Sequence, residues 1–273
     1  IASINLRINI NFVYLQNNKI PMIKEDGKFK WLEEGKGSPI ILLHGLMGGI
    51  DNFGDMVSHI SKKHKVYGLD LKLFEGSLLK KVSVKNLCDY LYDFMQHLKI
   101  KRATLLGNSM GGHIALIFSK EHPEMTDGLI LTGSSGLYED SMGDSFPRRG
   151  DYDYIKTKTE EVFYDPKVAT KELVDRVFEI ANDRISLLKL LGYAKSAIRH
   201  NMAEDIPTFK MPVCLIWGEH DKVTPPHVAE EFHKLFPNSE LHWISDCGHA
   251  PMWERPDKFS QISLDWLKKH IKG

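Results

Sequence analysis

A serine between two glycines is the first sign of chemistry in this 273-residue sequence. Residues 107–111 read Gly-Asn-Ser-Met-Gly, directly after the apolar run 103–106 and directly before an expected helix over 112–120. Glycines two positions before and two after a serine permit a strand-to-helix turn so tight that larger side chains would collide. Such a turn, a nucleophile elbow, would hold the hydroxyl of Ser109 above the end of a sheet. The pattern also arises by chance, so its place between a strand and a helix adds much of its weight.

A serine hydroxyl is a poor nucleophile at neutral pH, so it requires a base, and the base requires a carboxylate that orients it. Asp221 follows the apolar run 213–217 and His249 follows the run 240–244, which gives the chain order serine, acid, histidine. Both lie at the C-terminal ends of predicted strands, the edge at which open α/β sheets hold their sites. We therefore predict that Ser109, Asp221 and His249 form a catalytic triad.

Other carboxylates compete for the role of the acid. Glu219 and Asp246 also lie in loops after predicted strands, where solvation alone would explain them. An acid could also follow the predicted strand 128–132, but residues 133–136 read Gly-Ser-Ser-Gly and hold no carboxylate. This favours Asp221.

Twelve histidines remain besides His249, and a lone histidine is more often structural than catalytic. We expect His44 to tie loops together through side-chain hydrogen bonds. His113, four residues after Ser109, is expected to pack on the elbow helix, and His220 is expected to face solvent.

A glycine-rich segment, 43–49, follows the first central strand and reads Leu-His-Gly-Leu-Met-Gly-Gly. Small residues let a backbone approach a ligand closely. We expect the backbone N–H groups of Leu46 and Met110 to form an oxyanion hole, the donor pair that acyl-transfer chemistry needs. The segment lacks the GKS or GKT ending of a phosphate-binding loop, so nucleotide binding is disfavoured.

Short apolar runs alternate with longer amphipathic stretches from residue 39 onward, which is typical of βα units around a parallel sheet. The runs are mostly apolar, as expected for strands covered by helices on both faces. The predicted strands are 39–43, 65–69, 103–107, 128–132, 213–217 and 240–244. The predicted core helices are 84–98, 112–120 and 259–271. Antiparallel edge strands are expected within 11–31, with a turn at 25–27. The sequence thus predicts an α/β fold with a mostly parallel central sheet flanked by helices.

The alternation stops after Gly133 and resumes only after Pro212, and the sequence between them is charged and helix-prone. A structureless connection of that length would be unusual, so we predict an inserted helical cap. The predicted domains are a core of residues 1–133 and 207–273 and a cap of residues 134–206, with cap helices at 157–163, 170–182 and 185–200. The cap aromatics either line a pocket or fill the core of the cap, and packing is favoured; they are Tyr152, Tyr154, Phe163, Tyr164 and Phe178.

The composition excludes several classes of protein. Lys plus Arg equal Asp plus Glu at 36 each, so the net charge creates no electrostatic attraction to nucleic acid or to an anionic membrane. Hydrophobic residues make up 42%, enough for a core, but no apolar run approaches the roughly 20 residues of a membrane span. Cys88, Cys214 and Cys247 have no CxxC spacing, which argues against disulfides or a zinc cluster, and the scattered histidines indicate no metal site. We expect a cytoplasmic protein and assign no function to residues 1–12.

The motifs in this order resemble those of the α/β-hydrolase superfamily over residues 12–273. The resemblance rests on HGLMGG from residue 44, GNSMGG from 107, WGEHD from 217 and DCGHAPMWE from 246. Within the superfamily, GNSMGG, CGH and the pair Trp253-Glu254 look like the meta-cleavage-product hydrolases, which cut carbon–carbon bonds in ring-opened aromatic dienoates. Small-ester and lactone hydrolases are similar as well.

Two features depart from those relatives. The carbon–carbon hydrolases usually carry a Trp directly after the catalytic His, where this chain has Ala250, and segment 70–77 differs from the superfamily's Asp-x-Pro-Gly-x-Gly run. The resemblance offers Asn108, Arg176 and Trp253 as substrate contacts. Arg176 would be the cap arginine that grips a substrate carboxylate, although its spacing is shifted by one.

The combined interpretation is a serine hydrolase without a cofactor that cleaves a small ester through an acyl-enzyme, with neither nucleic acid nor membrane as a partner. One alternative is a carbon–carbon bond hydrolase that uses the same triad. Another is a ligand-binding member of the fold that has no catalytic activity. Acyl transfer to an acceptor other than water also stays open.

Overall fold

Eight strands form one mostly parallel sheet in the computed structural model of the chain, which describes residues 22–76, 82–137 and 148–271. The strands are β1 (Met22–Asp26), β2 (Phe29–Glu34), β3 (Pro39–Leu43), β4 (Lys65–Leu69), β5 (Ala103–Asn108), β6 (Thr126–Thr132), β7 (Val213–Gly218) and β8 (Ser239–Ile244). Their order across the sheet is β1-β2-β4-β3-β5-β6-β7-β8. β2 pairs antiparallel with both β1 and β4, and the other neighbours are parallel. The predicted α/β sheet is confirmed.

The six predicted central strands are present, with shifts of one or two residues at some ends. β3 and β4 have the predicted bounds, β5 and β7 continue one residue further, and β6 and β8 begin slightly earlier. The antiparallel edge is the hairpin of β1 and β2, in which Asp26 pairs with Phe29 and Gly27 adopts a left-handed φ of +57°. Residues 11–21 of the predicted edge lie outside the described residues.

Helices cover both faces of the sheet. They are α1 (Gly54–Ile60), α2 (Val84–His97), α3 (Met110–Glu121), α4 (Tyr152–Glu160), α5 (Lys171–Asn182), α6 (Arg184–Ile198), α7 (Pro226–Leu235), α8 (Pro251–Glu254) and α9 (Pro256–His270). α2 begins where the hydroxyl of Ser83 accepts the N–H of Asn86, and it buries the stripe Leu87, Leu91 and Phe94. α3 begins two residues before its predicted start, because tight packing overrides the low helix propensity of its first glycines.

The core has two halves, one on each face of the sheet. Along β3, Ile41 and Leu43 belong to the half packed by α2, α3 and α7, while Ile40 and Leu42 belong to the half packed by α1 and α9. All four side chains are fully buried. A strand with both faces covered has no polar face, which explains the continuous apolar runs in the sequence.

Three helices, α4, α5 and α6, lie between β6 and β7, where the cap is predicted. α4 begins five residues before its predicted start, because the carboxylate of Asp151 accepts the N–H of Tyr154 and caps it there. α5 and α6 follow their predicted bounds to within two residues. Met202 and Ile206 belong to the core half that packs under α2 and α3. The boundaries 134 and 206 themselves stay a prediction.

Lys189 of α6 ties the cap to the loop after β4. Its side chain is buried, and its Nζ donates to the backbone carbonyls of Phe74, Glu75 and Gly76 at 3.2, 2.6 and 2.6 Å. A buried ammonium costs free energy unless its donors are used. The loop therefore serves as the acceptor that makes burial of Lys189 tolerable.

No helix in the described parts of the chain combines the length and the apolar character that crossing a lipid bilayer requires.

A Gly111→Ala substitution tests the close approach of α3 to β3. A β-carbon at Gly111 would overlap the carbonyl oxygen of Leu43, which is backbone and cannot rotate away. We expect a loss of more than about 4 kcal/mol in the free energy of unfolding. The matched control is Gly27→Ala, where nothing lies within 4 Å and only the left-handed φ is penalised, by about 1–2 kcal/mol. If urea unfolding showed the same loss of unfolding free energy for both variants, the close approach of Gly111 to the backbone of Leu43 would be contradicted.

Candidate active site

Ser109 lies at the turn between β5 and α3, with φ +55° and ψ −121°. This strained conformation is rare for a residue with a side chain, and the surroundings hold it in place. Its N–H donates to the carbonyl of Thr132 at 3.1 Å, and its carbonyl accepts the N–H groups of Gly112 and Ser135 at 3.0 and 3.2 Å. A β-carbon at Gly107 would lie 2.5 Å from the backbone of residue 111. The predicted nucleophile elbow is thus the geometry observed.

His249 and Asp221 form a buried pair beside the elbow. The Nδ1 of His249 lies 2.9 Å from Oδ2 and 3.1 Å from Oδ1 of Asp221. Oδ1 also accepts the N–H groups of Val223 and Thr224, and Oδ2 accepts the hydroxyl of Thr224 at 2.9 Å. Because a carboxylate only accepts, we assign the proton to Nδ1, which leaves Nε2 to face a substrate.

Thr224 was not predicted from the sequence as a functional residue, although a signal was present. An Asp whose side chain accepts N–H groups two and three residues later forms an Asx-type turn, a common use of Asp in loops. The turn holds the carboxylate of Asp221 independently of its contact with His249. Thr224 also lies 3.4 Å from the Nδ1 of His249.

The backbone of His249 is held from two sides. Its N–H donates to the carbonyl of Val162 at 2.9 Å, and its carbonyl accepts the side-chain amide of Asn108 at 3.1 Å. The same amide nitrogen of Asn108 donates to the carbonyl of Thr132 at 3.1 Å. Asn108, predicted as a substrate contact, thus joins the end of β6 to the histidine loop.

Gly133 is a second residue that the sequence analysis did not single out. It has a left-handed φ of +51°, and a β-carbon there would lie 2.7 Å from the Nδ1 of His249. Only glycine satisfies both conditions. The end of β6 therefore supplies no acid, as expected, but it makes room for the imidazole.

Glu254 joins the histidine loop to the cap. Its Oε1 accepts the N–H of Gly248 at 2.7 Å, and its Oε2 accepts the N–H groups of Tyr164 and Asp165 at 2.8 and 3.4 Å. Burial raises the pKa of this carboxyl, and the hydrogen bonds from Gly248 and Tyr164 oppose that rise. The available signal in the sequence was an acidic residue directly after the apolar stretch 250–253.

The other histidines have structural environments. His44 accepts the N–H of Leu71 on Nε2 at 3.1 Å, and its Nδ1 lies 2.9 Å from the carbonyl of Gly45; burial lowers its pKa. His113 is fully buried, its Nε2 lies 3.2 Å from Nδ1 of His200, and burial lowers its pKa to about 3. The expectation that these two residues tie loops and pack is confirmed.

The two residues predicted as oxyanion donors are both close to Ser109: Leu46 lies in the loop after β3, and Met110 directly follows the serine. Leu46 lines the cavity above Ser109, and the N–H of Met110 is the first of α3. A β-carbon at Gly45 would lie 3.2 Å from that of Ser109, so the loop after β3 runs against the nucleophile. Unpaired N–H groups at a helix start favour negative charge there.

A cavity of about 310 Å³ opens above Ser109 and His249. Asn108, Leu46 and Trp253 also line it, and its size falls at the lower end of small-molecule sites, which run from about 300 to 1,000 Å³. Of the cap aromatics, Tyr154 and Phe163 line the cavity. Tyr152, Tyr164 and Phe178 are not among the described lining residues; Tyr152 packs on Phe178 and Tyr164 on His220, which is itself exposed as expected.

Arg176 lies elsewhere. It is not among the described residues that line the cavity, and its guanidinium donates to Oδ2 of Asp51 at 2.9 Å. Both side chains are largely buried, at 20% and 13% exposure. The arginine thus ties α5 to the segment after the glycine-rich loop.

Comparison with known proteins decides the family. A sequence profile for the alpha/beta hydrolase fold matches residues 38–162 and 187–256. The chain belongs to the α/β-hydrolase family. Like its relatives, this α/β hydrolase is an enzyme of the hydrolytic type.

Individual relatives include hydrolases of dienedioates and of meta-cleavage products, as well as other α/β hydrolases. The chain is 32% identical over 188 residues to a 2-hydroxy-6-oxononadienedioate/2-hydroxy-6-oxononatrienedioate hydrolase of Pseudomonas sp, with 64% of this chain and 66% of that protein covered. A solved α/β hydrolase, MGS-MChE2, from a metagenome of lagoon sediments at Mar Chica, Morocco, is 43% identical with a TM-score of 0.76 and covers 91% of this chain and 98% of its own. The meta-cleavage product hydrolase of Pseudomonas fluorescens IP01 shares the fold at 21% identity, with a TM-score of 0.78 and coverage of 88% and 94%.

A Glu254→Gln substitution tests the link between the cap and the histidine loop. Glutamine keeps the shape but turns an NH2 donor toward a backbone N–H, of either Gly248 or Tyr164, and leaves it unpaired. We expect the free energy of unfolding to fall by about 1–3 kcal/mol. Amide hydrogen exchange should rise at the position that loses its acceptor and, because the side chain links the two segments, at the other position as well.

The control for this variant is Glu219→Gln, which removes an exposed carboxylate in the loop after β7. We expect it to leave both measurements near those of the unmodified α/β hydrolase. Faster exchange at Gly248 alone, with Tyr164 protected as before, would show that the carboxylate does not connect the two segments.

Proposed function

We propose that the chain is a serine hydrolase that needs no cofactor and cleaves small carboxylic esters through an acyl-enzyme. The observation that carries the proposal is the placement of Ser109, on a strained elbow, and of the buried Asp221–His249 pair around one cavity. Nucleophile, base and orienting acid are the groups that acyl transfer by serine requires.

The first half of the reaction forms the acyl-enzyme. The Oγ of Ser109 attacks the ester carbonyl while Nε2 of His249 removes its proton. Asp221 keeps the imidazole in the Nδ1–H tautomer and stabilises the imidazolium that forms. The C–O bond to the alcohol then breaks, and His249 returns the proton to the leaving oxygen.

The second half releases the acid. Water takes the place of the alcohol, His249 removes its proton, and the resulting hydroxide attacks the acyl carbonyl. The ester bond to Ser109 breaks and the serine recovers its proton from His249. The N–H groups of Leu46 and Met110 stabilise the oxyanion in both halves, where one such donor is typically worth about 2.7–4 kcal/mol of barrier.

A second candidate is carbon–carbon bond hydrolysis. It is supported by the 32% identity to a dienedioate hydrolase, since the same three residues could serve that reaction. Incubation with a coloured ring-fission dienoate separates the two candidates. If the dienoate loses its colour in a reaction that requires Ser109, and p-nitrophenyl esters are not hydrolysed, carbon–carbon bond hydrolysis replaces the ester proposal.

Substitution of Ser109 by alanine tests the nucleophile. We expect turnover of p-nitrophenyl butyrate to fall by about 10⁴-fold or more, because the attacking oxygen is gone. Labelling by a fluorophosphonate probe should disappear with it, which also excludes a protein that only binds ligands. The control, Ser119→Ala, removes a buried hydroxyl of α3 for which the described residues offer no hydrogen-bond partner, and it should retain both signals. Normal turnover by Ser109→Ala would remove the serine from its role.

Substitution of Asp221 by asparagine tests the acid. The amide would present a donor to Nδ1 and favour the wrong imidazole tautomer, so we expect kcat to fall by about 10⁴-fold with the fold retained. Asp246→Asn is the control, because this exposed carboxylate lies in the same loop as His249 but does not contact the imidazole. A small effect at Asp221 together with a large effect at Asp246 would reassign the acid.

A further inference from the structure

The cavity above Ser109 continues into the cap between α4, α5 and α6, and its walls there are apolar. Ile155, Leu173, Val177, Ala181, Leu190 and Ala194 form this cap side of the cavity. None of these six side chains offers a hydrogen bond. Of the polar lining residues on α4, Thr159 already donates its hydroxyl to the carbonyl of Ile155, and Tyr154 presents an aromatic ring with one hydroxyl. The part of a substrate that lies against the six apolar side chains therefore gains mainly from leaving water.

Lys158, the cationic residue of the cap among the described lining residues, is already in an ion pair. Lys158, which lines the cavity, donates to Oε2 of Glu161 at 2.7 Å, and each of these two side chains is 44% exposed. Besides Lys158 and His249, no Lys, Arg or His occurs among the described lining residues. Among the described lining residues, a negative group deep between the helices would therefore find no cationic side chain that is not already paired.

Arg176 does not supply one. Its neighbour in sequence, Val177, faces the cavity, but the guanidinium is bound to Asp51, and Nη1 would lie 3.9 Å from a β-carbon on Gly49. A substrate carboxylate that approached this arginine would have to compete with the carboxylate of Asp51, which already holds the guanidinium in a largely buried ion pair.

We propose that the substrate is an ester with an uncharged, apolar chain held between α4, α5 and α6, and that a carboxylate on that chain is rejected. The proposal rests on the ester hydrolysis proposed above and narrows it to a substrate class. It assigns Arg176 the task of positioning the loop after β3 through Asp51, and not of binding substrate.

Energetics set the expected size of the preference. A methylene group that leaves water improves binding about fourfold, the ratio that corresponds to about 0.8 kcal/mol. A carboxylate placed among apolar groups without a partner is strongly disfavoured. Lengthening a neutral chain should raise kcat/KM until the cavity is full, whereas a terminal charge should cancel the gain.

The test compares neutral esters with esters of the same length that end in a carboxylate. On the acyl side the pair is p-nitrophenyl hexanoate and the mono-p-nitrophenyl ester of adipic acid, with spontaneous hydrolysis subtracted. On the alcohol side the pair is hexyl acetate and 6-acetoxyhexanoate. We expect kcat/KM to favour the neutral member at least about a hundredfold in one pair or both. Equal values within each pair would overturn the proposal.

Two charge variants locate the cause of the preference. Asp51→Asn releases Arg176, and Glu161→Gln releases Lys158, so each should narrow the ratio of neutral to charged substrate by severalfold. Glu160→Gln is the matched control, since Glu160 lies next to Glu161 and pairs with Lys156 instead. An unchanged ratio in both release variants would contradict the assignment of the two ion pairs.

Ala181→Leu tests whether the chain reaches the cap. The added side chain occupies the space beside α5, so the ratio of kcat/KM for p-nitrophenyl hexanoate to that for p-nitrophenyl acetate, or of hexyl acetate to ethyl acetate, should fall at least about tenfold. Val177→Ala enlarges the same wall and should move the ratio the other way. Thermal unfolding of both variants shows that the change comes from the cavity and not from loss of the fold. If neither variant changes the ratio of kcat/KM for long and short esters, the apolar chain of the substrate does not lie against α5.

The two proposals fail in different ways. If no ester is turned over and the fluorophosphonate does not label Ser109, the proposed function fails. If esters are cleaved by Ser109 but the carboxylate members are accepted as well as the neutral ones, only the substrate class fails. Hydrolysis of a dienoate through Ser109 with a kcat/KM above that of p-nitrophenyl hexanoate would likewise overturn the substrate class and leave the nucleophile in place.

Discussion

The hydrogen bond between Nδ1 of His249 and Oδ2 of Asp221, 2.9 Å long and shielded from water, is the interaction on which the site depends. Its two residues come from the ends of β7 and β8, so the bond exists only while these parallel strands stay in register. Asp221 is held by its own turn with Thr224. The sheet therefore acts as the frame that sets the distance between acid and base.

The loop that carries His249 is held from three directions at once. Asn108 binds its carbonyl from the elbow, Val162 binds its N–H from the cap, and Glu254 binds the N–H of Gly248 from α8. A β-carbon on Gly248 would lie 2.6 Å from the carbonyl of Val162, so the loop and the cap segment are in direct backbone contact. The base is thus placed jointly by the core and the cap.

The sequence was sufficient for the sheet and for bringing Asp221 and His249 together, because both depend on local patterns. Continuous apolar runs mark strands covered on both faces, and the ends of parallel strands meet at one edge. It was insufficient for Arg176, whose partner Asp51 lies 125 positions away, and for the start of α4, which is set by the cap at Asp151. The role of Glu254, which was noted only as part of a motif, could not be predicted for the same reason: its partners Tyr164 and Asp165 lie about 90 positions away in the sequence.

The ties between cap and core restrict how such an enzyme can be recombined. Three contacts connect the cap to the core: residues 164 and 165 bind Glu254 in α8, Arg176 in α5 binds Asp51, and Lys189 in α6 binds the loop after β4. In each contact the core residue belongs to a different segment of the core. A chimera that exchanged residues 148–200 alone for those of a homologue would separate all three from their counterparts. Grafting a new specificity onto this scaffold therefore means transplanting the acceptors at 51, 74–76 and 254 together with the helices.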